Sequence, residues 1–378
     1  MQFTIGQEKA IQIAIERYKN KEPYTVIAGY AGTGKTYIIK YIIDSLNISE
    51  SQVAYIAYTG KASLVLKQRG CTNAMTAHKL LYNAEEQSDG TYNFIPKQTL
   101  DRKYQLIVVD ELSMIPTEMW ELLLTHKVYI LALGDPGQLP PINGNTDLLQ
   151  HPHAFLSEIV RQALDNPIIR LSMDIRNGQE LKDINSKTCR IVDYSHVSNK
   201  LLLGADIVIC GRNKTRHFLN QRVRKAIWED NYSDAPIDGD KIICLQNKWN
   251  IVNNLKLPLI NGEIGKVSNI SLEKTALYNP FMLADFEYGG GKVRDLAMDY
   301  KLFTKQQPTI NKENYMLYPV DSRPIQFDYG YAITCHKAQG SEWDKVVVFN
   351  EQLGDKQDHI RWLYTAVTRS SNKLVVVR

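Results

Sequence analysis

Ala28 to Tyr37 read AGYAGTGKTY. Gly29, Gly32 and Gly34, followed by Lys35 and Thr36, cannot pack a core, and they fit the spacing G-x-x-x-x-G-K-[ST]. The residues before them, YTVIAG, form a short β-branched run that reads as a buried strand. The residues after them, YIIKYIIDSL, carry apolar side chains at helical spacing. Strand, glycine loop and helix together make this pattern a phosphate site rather than a chance turn. Glycines let backbone N–H groups turn inward around phosphate oxygens, and the helix N-terminus adds a partial positive charge. Lys35 is expected to reach the β- and γ-phosphates of a bound nucleotide, and the Thr36 hydroxyl to hold Mg²⁺.

Around that loop the chain is long enough, at 378 residues, for two or three domains. Its 44% hydrophobic and 23% charged residues describe a globular protein able to bury real cores. A net charge of +4 permits a nucleic-acid partner without arguing for one. Cys71, Cys189, Cys210, Cys244 and Cys335 are scattered, with no C-x-x-C. That excludes a zinc pattern and favours a reducing compartment over a disulfide framework. The start, MQFTIGQEKA, lacks a signal-peptide hydrophobic region, and no apolar run is long enough to span a bilayer. A cytoplasmic protein with no membrane partner is expected.

Strand and helix signals alternate through the first part. SQVAYIAYTG, YQLIVVDELSM and VYILALGDPGQ each end a β-rich run in polar residues, the rhythm of a parallel sheet with functional loops at its carboxyl edge. A second such rhythm passes through ADIVICGRNKTRHFLNQRVRKAI and resumes at DKVVVFN and NKLVVVR. Between them NGEIGKVSNISL and FMLADFEYGGGKVRDLAMDY read as antiparallel strands, the latter a hairpin turning at Gly289–Gly291. The expected division is a first α/β lobe over 1–151, a second over 152–245 and 325–378, and a β module inserted at 246–324. GRNKTRHFLNQRVRKAIWED reads as a basic amphipathic helix. Phe218, Leu219, Val223 and Ile227 form its buried stripe, and Arg216, Arg224 and Lys225 its solvated face.

Asp110 and Glu111 end the apolar strand in LIVVDELSM. Beside a phosphate loop, the first carboxylate can hold Mg²⁺ through water and the second can orient or deprotonate the attacking water. In LALGDPGQLPPI, Asp135 and Gln138 follow another strand where a loop can meet the γ-phosphate. A glutamine there senses phosphate or positions water without titrating. Arg161, in LSEIVRQALDNPII, and Arg369, in LYTAVTRSSNK, are candidates to neutralise charge on the γ-oxygens. Spacing alone does not single them out among the chain's arginines.

The ordered set IGQ, GYAGTGKT, AYTGKAS, TAHKLL, VVDELSM, GDPGQLPP, EIVRQ, YAITCHKAQGSEWDKVVV and LYTAVTR resembles the motif series of superfamily-one helicases, most of all the RecD/Dda-like subgroup. The likeness covers nearly the whole chain, and its compactness is similar to that of the phage Dda-like members. It implies two RecA-like P-loop lobes, with a small hairpin inserted in the first at about 82–100 and an SH3-like module inserted in the second. It also implies an ATP-dependent helicase moving 5′ to 3′ on single-stranded DNA and opening forked duplex DNA, with replication or recombination proteins as possible partners. The compartment is then the bacterial cytosol, or that of the host if the chain is phage-encoded.

Position by position, the resemblance gives Gln7 the adenine edge and Gly29, Gly32, Gly34, Lys35 and Thr36 the phosphates. Asp110 stands on the metal side and Glu111 activates water. Gln138, Arg161 and Arg369 converge on the γ-phosphate. Thr59, Lys61, Thr76 and His78, with Thr334 and His336 of the second lobe, would line the strand path as phosphate contacts that read no sequence. Tyr58 departs from the proline that relatives carry before TGKA, which puts the backbone at Thr59 in question. Asp89-Gly90 is a hairpin turn signal, and Tyr92 and Phe94 alternate to one face, where the subgroup carries a strand-separating pin. The same hairpin could pack its aromatics on its own lobe. A viral-type RNA helicase and a non-motor ATP switch remain the alternatives.

Overall fold

The computed structural model describes residues 3–86, 92–140, 147–160, 165–273, 281–303 and 324–378. The first body holds helices α1 (Ile5–Lys19), α2 (Lys35–Ser45), α3 (Gly60–Gln68), α4 (Ala77–Leu81) and α5 (Thr117–Thr125). Its strands are β1 (Tyr24–Gly29), β2 (Val53–Ala57), β3 (Ala74–Thr76), β4 (Tyr82–Glu86), β5 (Tyr92–Pro96), β6 (Leu106–Val109), β7 (Tyr129–Gly134) and β8 (Ala154–Leu156). Six of them form one parallel sheet in the order β3-β2-β6-β7-β1-β8. Strands β2, β6 and β7 are buried along their whole length, because helices cover both faces. That is why they read as unbroken apolar runs. Helix α2 lays Ile38, Ile39, Ile42 and Ile43 on one face of the sheet, a stripe at helical spacing. Each fully buried isoleucine is worth about 1.5–3 kcal/mol of transfer free energy. Trp120 and Leu123 of α5 close the other face.

The second body contains α6 (Pro167–Arg176), β9 (Cys189–Val192), α7 (Asn199–Leu203), β10 (Ile207–Cys210) and α8 (Asn213–Trp228). The antiparallel part follows with β11 (Lys241–Cys244), β12 (Lys248–Val252), β13 (Pro258–Leu259), β14 (Ile264–Glu273), β15 (Phe281–Tyr288), β16 (Gly291–Met298), α9 (Tyr300–Phe303) and β17 (Phe327–Tyr329). The chain then returns through β18 (Ala332–Thr334), α10 (Cys335–Ala338), β19 (Trp343–Phe349), α11 (Lys356–Val367) and β20 (Ser370–Val377). A parallel sheet in the order β18-β10-β19-β20-β9 forms the second lobe. A separate antiparallel sheet in the order β16-β15-β14-β11-β17 packs against it. The turn between β15 and β16 falls at Gly289 and Gly290, whose φ values of 57° and 80° are those of a type I′ hairpin.

Three expected boundaries move. Strand β8 pairs with β1, so the first sheet reaches past residue 151 to Leu156. Strands β11 and β17 pair with each other and β11 with β14, so the antiparallel sheet begins before 246 and ends after 324. All three are short strands defined by distant partners. The reading of α8 also changes. Leu219 and Val223 are buried, but Phe218 and Ile227 are exposed, and Arg224 is fully buried. Arg224 donates from Nε and Nη2 to the Asp240 carboxylate at 2.9–3.1 Å and lies 3.9 Å from the Tyr329 ring. Trp228 Nε1 and the Tyr331 hydroxyl donate to the same carboxylate. A charged pair satisfied on so many sides can sit in a core.

Among the described residues no helix is long and apolar enough to cross a membrane. All five cysteines are free thiols. Burial pushes Cys210, Cys244 and Cys335 up to about 12 and Cys189 to about 11, which makes them poor nucleophiles.

Candidate functional site

The glycine loop joins β1 to α2 at the carboxyl edge of the first sheet. Gly32 and Gly34 have φ values of 78° and 75°, left-handed conformations that β-carbons resist. A β-carbon at Gly34 would also stand 2.6 Å from Gln7 Nε2. No side chain caps α2 at Gly34, so its first amides remain available to an anion. Lys35 Nζ donates to the carbonyls of Gly29 at 2.6 Å and Tyr30 at 3.0 Å. Thr36 is exposed beside it.

Gln7 belongs to a capping box with Thr4 at the start of α1. Its Oε1 accepts from Thr4 N, and its Nε2 donates to Thr33 O within the glycine loop. One amide hydrogen and one lone pair remain, the complementary pair an adenine edge requires.

Asp110 and Glu111 follow β6 at the same edge. Burial, then the neighbouring Glu111, pushes the Asp110 carboxyl up to about 6, with Lys35 pulling the other way. Glu111 has φ 56°, a left-handed backbone for a non-glycine residue, and its N–H donates to Asp110 Oδ1. Strain of this kind persists where surrounding structure enforces it, commonly at functional sites. Asp110 and Thr36 offer the hard oxygen donors that Mg²⁺ takes. No cluster of three or more His, Cys, Asp or Glu among the described residues could hold a metal alone.

The loop after β7 meets the second lobe. Asp135 Oδ1 accepts from Gly137 N, and Oδ2 accepts from the Tyr364 hydroxyl at 2.7 Å. That hydroxyl also accepts from Ala31 N of the glycine loop at 2.8 Å. Thr365 Oγ1 accepts from Leu139 N, and Gln339 Nε2 donates to Leu139 O. The Arg176 guanidinium lies 3.5 Å from the Tyr30 ring centroid. Gln138 sits within this frame, 7% exposed, and its Oε1 is buried without a partner. Arg369 is equally enclosed. Its guanidinium donates to Thr365 O, Ser341 O and Thr368 Oγ1, and pairs with no carboxylate among the described residues. A buried cation held only by neutral oxygens keeps its charge for an arriving anion. Arg161 lies outside the described residues. Sequence reasoning missed Tyr364, Thr365, Gln339 and Arg176. The first two lay inside the quoted LYTAVTR, where a tyrosine in an apolar helical run reads as core.

Thr59 and Thr76 stand at the ends of neighbouring strands β2 and β3. Each caps the following helix, accepting from Ala62 N and Lys79 N respectively. Tyr58 leaves the Thr59 cap intact, with extended backbone at φ −100° and ψ 152°. Lys61 turns to the second lobe, its Nζ 4.9 Å from the Trp343 ring centroid. Burial lowers its pKa, opposed by Glu263, whose Oε2 is buried and unpartnered. His78 lies among Tyr58, Tyr82 and Phe94, with ring centroids 5.2–5.8 Å away. Burial holds its imidazole below the ordinary value, which favours the neutral ring. Thr334 precedes α10 without spending its hydroxyl on a cap, and His336 is exposed two residues on. Strands β4 and β5 pair as a hairpin, Ala84 opposite Phe94 and Glu86 opposite Tyr92. Phe94 is 45% exposed yet packs against His78 and Tyr82 at the hairpin's foot. The Asp89-Gly90 turn and the Tyr92 side chain lie outside the described structure.

Two parallel sheets sharing one glycine loop in the cleft between them are the architecture of a two-lobed P-loop protein. Residues 2–190, half of the chain, match the AAA domain family, and residues 329–377 match the UvrD-like helicase C-terminal domain. The chain belongs to this family, in its superfamily-one branch of RecD/Dda type. It is 29% identical over 270 residues to the ATP-dependent DNA helicase dda of Enterobacteria phage T4, covering 65% of this chain and 61% of that one. It is 26% identical over 373 residues to the ATP-dependent RecD2 DNA helicase of Deinococcus radiodurans, covering 92% of this chain and 46% of that one. The chain thus spans less than two thirds of the length of either relative. In fold it is similar to the Pif1 helicase from Bacteroides solved with ADP-AlF3 and single-stranded DNA. That likeness has a TM-score of 0.56 at 16% identity and covers 100% of this chain and 92% of that one.

Proposed function

We propose that the chain is an ATP-driven motor that moves 5′ to 3′ along single-stranded DNA and opens duplex at a fork. The observation that carries this reading is the cleft. The glycine loop and the loop after β7 are both hydrogen-bonded to the second lobe through Tyr364 and Thr365, beside a buried Gln138 Oε1 without a partner and a buried Arg369 that meets no carboxylate among the described residues. ATP placed there is gripped from both lobes, and hydrolysis removes the γ-phosphate that both grip. The relatives named as ATP-dependent DNA helicases support the same reading. The 5′-to-3′ direction rests on family likeness.

In this reading the amides of the glycine loop and Lys35 bind the phosphates, and Gln7 meets the base. Thr36 and Asp110 hold magnesium, which supplies charge neutralisation to the phosphate oxygens when bound. Glu111 takes a proton from the attacking water. Gln138, Arg369 and Arg161 meet the γ-phosphate. Thr59, Lys61, Thr76, His78, Thr334 and His336 line the strand, and Tyr92 and Phe94 form the pin. The antiparallel sheet is an SH3-like module that closes over the strand. Replication or recombination proteins are the partners and the cytoplasm is the compartment.

The test is strand displacement on forks carrying a 5′ or a 3′ tail, in DNA and RNA versions, with ATPase rates measured beside oligo-dT and oligo-rU. ATP-dependent opening of the 5′-tailed DNA fork alone is expected. Opening of RNA forks only points to an RNA helicase. ATP turnover with no movement points to a switch.

A further inference from the structure

We propose that Tyr364 is a positioning residue that sets Gln138 and the glycine loop against the second lobe; this rests on the ATP-driven reading above. Tyr364 is fully buried on α11, and its hydroxyl makes two hydrogen bonds, both to the first lobe. It accepts from Ala31, two residues into the glycine loop, and donates to Asp135, three residues before Gln138. The same Asp135 oxygen stands 4.0 Å from Lys35 Nζ. The phenol therefore touches the phosphate loop, and reaches the phosphate lysine through one carboxylate.

The contact is close on its ring face as well. A β-carbon at Gly137 would fall 3.0 Å from Tyr364 Cε1, so any larger residue there would press on the ring. One residue further along α11, Thr365 holds Leu139 N, and Gln339 holds Leu139 O from the α10 side. Gln138 is thus fixed on its N-terminal side through Asp135 and on its C-terminal side through Leu139, each time by the second lobe. Arg369 follows Tyr364 by five residues and donates to Thr365 O. Lobe closure then delivers the arginine and orients the glutamine in one movement of α11. A burial-raised phenol pKa keeps the hydroxyl protonated and able to donate throughout.

Tyr364→Phe removes the two bonds and keeps the ring. The measurements are ATPase kcat and KM, with and without oligo-dT, and fluorescent-ADP affinity. They cover wild type, Tyr364→Phe, Gln138→Ala and the double variant. Tyr364→Phe is expected to lower kcat at least about tenfold while ADP affinity stays within about threefold. In the Gln138→Ala background it should add less than about a further twofold to the loss of kcat, because the effect on turnover passes through Gln138 while the Ala31 bond is read in ADP affinity. Losses that multiply in the double variant overturn the proposal. So does a fall in ADP affinity and melting temperature that matches the fall in kcat, which marks a collapsed loop. Thr365→Val should lower kcat and Thr365→Ser should keep it; equal rates for the two also overturn the proposal. A wild-type ATPase indifferent to oligo-dT sinks the motor reading instead, and leaves the Tyr364–Gln138 coupling readable on the basal rate.

Discussion

Lys35 Nζ stands 4.0 Å from Asp135 Oδ2 while donating to the carbonyls of Gly29 and Tyr30. Its charge is turned into its own loop. Phosphate oxygens are stronger acceptors than these carbonyls, since charge-assisted bonds are roughly twice as strong as neutral ones. Lys35→Ala should abolish ATP hydrolysis, by at least about a hundredfold, because no other side chain replaces the ammonium. The variant should stay folded, since the half-buried lysine belongs to no apolar core cluster. Steady-state ATPase with a melting curve checks both halves.

Glu111→Gln should bind Mg-ATP and DNA like wild type yet turn over about 10²–10⁴ times more slowly. The amide fits the same left-handed position and keeps a hydrogen bond, but it is no base. Equal losses in ATP affinity and turnover would assign Glu111 to binding instead. Nucleotide titration beside single-turnover kinetics separates the two.

Asp110 gives a pH signature. Burial and Glu111 raise its pKa to about 6, above that of an unfolded aspartate. A group raised in this way contributes stability at low pH, and that contribution is lost as pH rises through about 6. Asp110→Asn should therefore melt higher than wild type at about pH 7.5, with the gap closing toward about pH 4. The same variant should lose magnesium-dependent nucleotide binding. In wild type that binding should weaken as pH falls below about 6. Calorimetry across pH, with and without Mg-ADP, reads all three.

Arg224→Ala should cost about 3–5 kcal/mol, because it strands the buried Asp240 carboxylate. Arg216 on the same helix also meets a carboxylate, Asp328, but at a partly open site. Arg216→Ala should cost less. Chemical denaturation of both variants orders them.

Replacing Tyr92 and Phe94 together by Ala should spare single-strand translocation and DNA-stimulated ATPase, while strand separation drops sharply. Phe94 packs on His78, so a second outcome has meaning. Equal losses of translocation and unwinding would show that the hairpin supports its own lobe. Parallel translocation and fork kinetics decide it.

The parallel strands were legible because a sheet covered on both faces must be apolar throughout, and LIVV and YILALG are. The glycine loop was legible because Gly32 and Gly34 need conformations that other residues resist. Arg224 was not, because helical periodicity sends a charge outward unless a partner waits inside. Asp240 waits there, sixteen residues on and in another element. The edges at β8, β11 and β17 were missed for a related reason: strands of three or four residues are made by distant hydrogen bonds, not by local pattern. Tyr364 hid in an apolar stripe, where only the opposing lobe distinguishes a core ring from a tether.

Leu139 is bonded at its N–H and its carbonyl by side chains 226 and 200 residues away in the chain. Covalently it belongs to the first lobe; by its hydrogen bonds it is seated in the second. A body defined by chain continuity and one defined by what moves together need not coincide, and here their borders cross within five residues of main chain, Asp135 to Leu139. Cutting the gene between lobes would leave that segment on one side and its anchors on the other.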